Sequence, residues 1–137
     1  MRRLTQGHAF SNRNLVIGSI ILLTMGGCGY GGARLTVQEL KDVVDSADRE
    51  IVVIDVRPRS QFEKGHVPGA INFPLEEIEK KKESIVSMKG EVAIICTCGK
   101  RSLAAVKQLA DSGITTTFVE GGMKKWEAAG YGKIKGK

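Results

Sequence analysis

Cysteine is scarce in this 137-residue chain, and its three copies, Cys28, Cys96 and Cys98, cannot weave a multi-bridge disulfide framework. The fold must therefore rest on packing. Proline occurs three times and aromatic residues make up 5%, which excludes a proline-rich or collagen-like chain. Only two histidines are present, and no cysteine and histidine spacing suggests zinc or haem, so neither a metal nor an organic cofactor is expected. The length fits one domain, and 42% hydrophobic with 26% charged residues excludes both a disordered polyelectrolyte and a polytopic membrane protein. Acidic residues are missing altogether from the first 27 positions, which hold Arg2, Arg3 and Arg13. Half of the formal +6 charge thus belongs to that segment, and residues 28–137, with 18 basic against 15 acidic side chains, carry only +3. Nucleic acid is not an expected partner.

The first thirty residues read as a leader. Residues 1–14 are basic and polar, 15–25 (LVIGSIILLTM) are almost wholly apolar, and 26–32 (GGCGYGG) are small and glycine-rich, the layout of a secretory signal peptide. Eleven apolar residues span ~16 Å as a helix, about half of a ~30 Å hydrocarbon core, which argues against a permanent transmembrane anchor. The run ends at Met25-Gly26-Gly27-Cys28, which resembles the lipobox of bacterial lipoproteins, with Met25 where that family usually has Leu. The resemblance implies cleavage before Cys28, a lipid on its sulfur, and an extracytoplasmic, membrane-anchored protein, periplasmic in a Gram-negative cell. An unmodified Cys28 after a plain signal peptide, or an uncleaved N-terminal helix, are the alternatives. The chain then divides into a signal peptide (1–27), a glycine-rich tether (28–35) and one domain (36–137).

Within the domain, strand and helix patterns alternate. Thr36 precedes Val37, Leu40, Val43 and Val44 at helical spacing, with Glu39 three residues on, which predicts a helix over 37–47 opened by a capping box. IVVIDV (51–56) and EVAIIC (91–96) are short, β-branched apolar runs, as expected of strands buried on both faces of a parallel sheet. Residues 57–69 read as a loop, AINFP (70–74) as a strand, and 75–88 as a charged helix with Leu75, Ile78, Ile85 and Val86 inward. A helix over 102–113 with Leu103, Val106 and Leu109 inward, a strand over 115–122 and a helix over 123–130 complete the pattern. This alternation predicts an α/β domain with a mostly parallel central sheet flanked by helices on both faces.

In open α/β sheets ligands bind at the carboxyl ends of strands, and the central run ends in Cys96-Thr97-Cys98-Gly99-Lys100-Arg101-Ser102, which leads into a helix. A thiol beside a helix N-terminus and two cations is biased toward its thiolate, the form that acts as a nucleophile. The bland reading is a buried cysteine that merely ends a strand.

The sequence resembles a single-domain rhodanese from about Thr36 to Gly136. The likeness is carried by Asp55-Val56-Arg57, Gly65-His66-Val67-Pro68-Gly69-Ala70 and Asn72; by Cys96 with Gly99, Arg101 and Ser102; and by Gly121-Gly122, Trp126 and Ala129-Gly130-Tyr131. The resemblance implies a rhodanese-like fold and a sulfurtransferase in which Cys96 takes sulfane sulfur from a small anionic donor such as thiosulfate. The resulting persulfide would pass to a thiol, a protein thiol or cyanide; a sulfur carrier or docking module without turnover is the alternative. It also implies that Thr97, Cys98, Gly99, Lys100 and Arg101 cradle substrate, and that Asp55, Arg57 and Ser102 support the loop. Four residues separate Cys96 from Arg101, where related phosphatases and arsenate reductases place five, and a shorter ring suits sulfur better than phosphate. Gln61 stands where the family commonly has Glu, reducing an ion pair with Arg57 to at best a neutral hydrogen bond. Cys98 is either an inert small residue or a resolving thiol. His66 and Trp126 are expected to be structural.

Overall fold

The computed structural model describes residues 32–47 and 49–137. The signal peptide, Cys28 and most of the glycine-rich tether lie outside the described residues. The elements are β1 (Arg34–Leu35), α1 (Val37–Ser46), β2 (Ile51–Asp55), α2 (Arg59–Lys64), β3 (Ile71–Asn72), a 3-10 helix (Leu75–Lys81) running into α3 (Lys82–Val86), β4 (Glu91–Ile95), α4 (Lys100–Asp111), β5 (Thr117–Val119) and α5 (Gly122–Ala128). The strands form one parallel sheet in the order β1-β5-β4-β2-β3. β4 therefore lies at the centre, paired along its length with β2, Asp55 opposite Ile95. Among the described residues no helix is long and apolar enough to cross a membrane.

Alternation along the central strands explains the layers. Val53, Ala93 and Ile95 point to one face and pack with Leu40 of α1 and Met123 and Trp126 of α5. Ile54, Val92, Ile94 and Cys96 point to the other and pack with Ile78, Ile85, Ala105, Val106 and Leu109. Both faces are covered by helices, so β2 and β4 must be apolar on both sides, as their sequences are. The Thr36 capping box is present: the Thr36 hydroxyl accepts from the Glu39 amide at 3.2 Å, and a Glu39 carboxylate oxygen accepts from the Thr36 amide at 2.7 Å. The Thr36 amide, and the Thr36 hydroxyl that lies 2.9 Å from the same carboxylate oxygen, hold the Glu39 carboxyl below the usual carboxylate range.

Several expectations are corrected. Residues 57–69 are not all loop, because Arg59–Lys64 is helical; the element was hidden because only Phe62 of its six residues is buried. The charged helix over 75–88 opens as a 3-10 helix, whose three residues per turn change the angular register downstream and leave Val86 65% exposed. In α4 the inward stripe is Ser102, Ala105, Val106 and Leu109, at spacings of three and four, which turns Leu103 out to 41% exposure. The strands expected over 70–74 and 115–122 shrink to two and three residues, and the sheet gains β1 inside the stretch read as tether.

Candidate active site

Cys96 follows the last residue of β4, and its side chain is 1% exposed. The chain then turns sharply at Gly99, whose φ of 106° lies in the left-handed region, and enters α4 at Lys100. That turn aims the Gly99 amide back at the sulfur, to which it donates at 3.0 Å. The Ser102 hydroxyl lies 3.4 Å from the same sulfur and 3.0 Å from the Gly99 carbonyl, so its single hydrogen can serve either acceptor. Burial pushes the Cys96 thiol up, but the Ser102 hydroxyl and the backbone amides of Ser102, Gly99 and Cys98 outweigh it and hold the thiol below its ordinary value. The arrangement favours a thiolate inside a ring of donors.

The ring is held from behind by α5. The amide of Met123 donates to the Cys96 carbonyl at 2.8 Å, and that of Lys124 to the Thr97 carbonyl at 2.9 Å. These are first-turn donors, which have no partner inside their own helix. Such a close approach requires Gly122: a Cβ there would sit 2.2 Å from the Cys96 carbonyl oxygen, and its φ is +56°. From the other side, the Thr97 hydroxyl donates to the Gln61 side-chain oxygen of α2 at 3.3 Å. A pocket of about 330 Å³ opens beside Thr97, lined among others by Arg57, Gln61, Lys64, Met123, Lys124, Glu127 and Lys133. Among the described residues no three His, Cys, Asp or Glu side chains are grouped to hold a metal ion.

Residues 36–129 match the rhodanese-like domain. The chain belongs to the rhodanese-like family. A Bacillus subtilis (strain 168) protein named "Putative sulfurtransferase YtwF" is 36% identical over 94 residues, covering 69% of this chain and 89% of that relative. Another from the same strain, named "Putative sulfur carrier protein YrkF", is 33% identical over 94 residues, covering 68% of this chain and half of the relative. The crystal structure of a rhodanese-related protein from Thermoplasma volcanium superimposes with a TM-score of 0.65 at 29% identity, covering 74% of this chain and 97% of that one.

Against this rhodanese-like frame the residues singled out in the sequence fall into three groups. Cys96, Thr97, Cys98 and Gly99 form the turn, while Lys100 and Arg101 begin α4, both exposed and without an ion-pair partner among the described residues. Cys98 is exposed and unbridged, and it is the residue's amide that bears on the Cys96 sulfur. Asp55 and Arg57 are buried and pair with each other, Arg57 Nη2 to Asp55 Oδ2 at 2.7 Å. Arg57 Nη2 also donates to the Gly65 carbonyl at 2.8 Å, and the Asn72 amide bonds the Asp55 and Arg57 carbonyls. Their hydrogen bonds thus secure the turn after β2, and Arg57 reaches the site as a wall of the pocket. Gln61 bonds Thr97 while Arg57 has Asp55, so the anticipated Arg57 to Gln61 hydrogen bond is replaced by a direct tie from α2 to the loop. His66 is buried, stacked on Phe62 at 3.7 Å and bonded through Nδ1 to the Phe62 carbonyl at 2.9 Å. Trp126 is fully buried and donates to the Gly132 carbonyl at 3.1 Å. The backing role of α5 was missed from the residues alone; two adjacent glycines before a helix, both with positive φ here, are the signal that marks it.

Proposed function

We propose that this rhodanese-like protein is a sulfurtransferase that moves sulfane sulfur from a small anionic donor such as thiosulfate to a thiol, protein thiol or cyanide through a persulfide on Cys96. The observation that carries this reading is the Gly99 amide donating to the Cys96 sulfur at 3.0 Å, in a ring of donors suited to a thiolate or persulfide anion. The thiolate attacks the outer sulfur of thiosulfate, an S–S bond forms, and sulfite leaves with the electron pair of the broken bond. An acceptor thiolate or cyanide then attacks the outer sulfur of the persulfide and releases Cys96. Neither step is a net redox change, and neither needs a metal or an organic cofactor. Lys100 and Arg101 compensate the charge of the approaching donor.

The name of the sulfur-carrier relative supports a second reading, in which the same persulfide is discharged only to a docked protein. Incubating the full chain with thiosulfate and cyanide, and reading thiocyanate together with the intact mass, separates the two. Thiocyanate formation that Cys96→Ser abolishes supports the enzyme. One added sulfur on Cys96 without thiocyanate supports the carrier, and neither adduct nor thiocyanate refutes both.

The proposal extends to location: residues 1–28 are those of an exported protein anchored to a membrane by lipid on Cys28. Radioactive fatty acid should label the wild type and not Cys28→Ser. An unlabelled wild type excludes the anchor.

A further inference from the structure

Sulfur transfer through Cys96 leaves the thiol of Cys98 without a task. The two cysteines differ in access, since Cys96 is 1% exposed whereas Cys98 is exposed and unbridged. They are also close. A single residue separates them, so their Cα atoms lie at most about 7 Å apart even in a fully extended chain, and a disulfide spans about 4.4–6.8 Å. This stretch is not extended: it turns into Gly99, and the amides of Cys98 and Gly99 both bear on the Cys96 sulfur, that of Gly99 at 3.0 Å. The ring carries a chemical hazard. Donors that favour a thiolate favour equally the sulfinate that repeated oxidation would leave on Cys96, a product that small thiols do not reverse.

We infer that Cys98 is a resolving thiol, which captures Cys96 after oxidation by a hydroperoxide and holds it in a reversible disulfide. The inference is independent of the sulfur-transfer reading and needs only the Cys96 nucleophile. The Cys96 thiolate attacks the terminal oxygen of the hydroperoxide, the O–O bond breaks, and the departing alkoxide or hydroxide keeps the electron pair and takes a proton from solvent. Oxidised by two electrons, Cys96 is then a sulfenic acid. The Cys98 thiolate attacks Cys96 Sγ, the S–S bond forms as the S–O bond breaks, and the hydroxide that leaves is protonated to water. Rotation of Cys98 about its Cα–Cβ bond, with a small movement of the turn, closes the gap, and the one-residue spacing makes capture intramolecular. While bridged, Cys96 is neither a nucleophile nor open to a second oxidation. Two equivalents of a small thiol reverse the bridge and are themselves oxidised to a disulfide. Burial sets the direction of that attack: the exposed Cys98 sulfur is the one reached, and Cys96, seated among amide donors, leaves as the stabilised thiolate.

The test uses the full chain carrying Cys28→Ser, so that Cys96 and Cys98 are its only thiols, treated with hydrogen peroxide in the absence of any sulfur donor. The mass should fall by two hydrogens, return with dithiothreitol, and map by fragmentation to a bridge between Cys96 and Cys98 within one chain. When Cys98→Ser is added, dimedone should trap a sulfenic acid on Cys96, and sulfinic acid should form there about fivefold faster than in the parent. Dividing each rate by that of Cys96 alkylation removes any effect of the substitution on the nucleophile itself. Equal rates of sulfinic acid formation in the two proteins overturn the inference, as does a disulfide between two copies of the chain in place of the internal bridge, or a mass that never loses the two hydrogens. Thiosulfate plays no part in these readouts, so the sulfurtransferase reading stands or falls separately, by its own assay.

Discussion

The amide of Met123 donates to the carbonyl oxygen of Cys96 at 2.8 Å, joining the start of α5 to the residue that carries the nucleophile. Gly122 makes that approach possible, so Gly122→Ala should force the two apart: the new Cβ meets the Cys96 and Thr97 carbonyl oxygens at 2.2 and 2.9 Å. Sulfur transfer should fall at least tenfold and stability by about 1–3 kcal/mol. Gly130→Ala is the matched control, since its φ is also positive but nothing lies within 4 Å of its Cβ. It should lose stability by about 1 kcal/mol with its transfer rate intact, as read by chemical denaturation alongside thiocyanate assays.

Ser102→Ala removes the hydroxyl that steadies the Cys96 thiolate. The thiol should then titrate at higher pH, and the pH profile of iodoacetamide alkylation should move in the alkaline direction. Below both titration midpoints the variant should react roughly threefold to tenfold more slowly, and well above them the two rates should converge. A profile that does not move would remove Ser102 from the account of the thiolate.

Arg57→Ala should be costly for stability. It strands the Asp55 carboxylate, which is fully buried and accepts three side-chain contacts from Arg57 at 2.7 to 3.0 Å. Breaking one half of such a pair costs about 3–5 kcal/mol, and replacing both partners with apolar residues should cost less than that single change. Urea unfolding of the single and double variants measures the coupling.

Lys100→Gln and Arg101→Gln leave the ring of amides in place and remove exposed charge. Each should raise the KM for thiosulfate about twofold to fivefold with little change in kcat, and the wild-type KM should itself climb with ionic strength.

The parts of this domain that were legible beforehand are those where one physical demand dominates. Burial on both faces requires the apolar runs of β2 and β4, and the strand end places Cys96 where parallel sheets hold their chemistry. The Thr36 and Glu39 pair announces α1 because two orphaned amides need two side-chain oxygens. Legibility fails where the signal is spread thinly or lies in backbone geometry. A helix such as α2, with one buried residue, has no stripe to detect. The 3-10 turn before α3 alters the period on which the inward assignment of Val86 depended. Leu103 was assigned inward for its hydrophobicity, yet Ser102 takes the buried side because its hydroxyl bonds at the site. Glycine identity alone does not reveal that Gly122 faces the Cys96 carbonyl; that needs the tertiary path of β5 into α5.

Because every pairing in the sheet is parallel, all strands share one polarity, and the chain threads into it at Arg34 travelling toward the end where Cys96 emerges. Gly32 accordingly lies beside Thr116, at the start of β5, on the far side of the sheet from the nucleophile. Polarity therefore works as an orientation device. The described chain enters the domain at one end of the sheet, and Cys96 stands at the other, where β4 hands over to its loop.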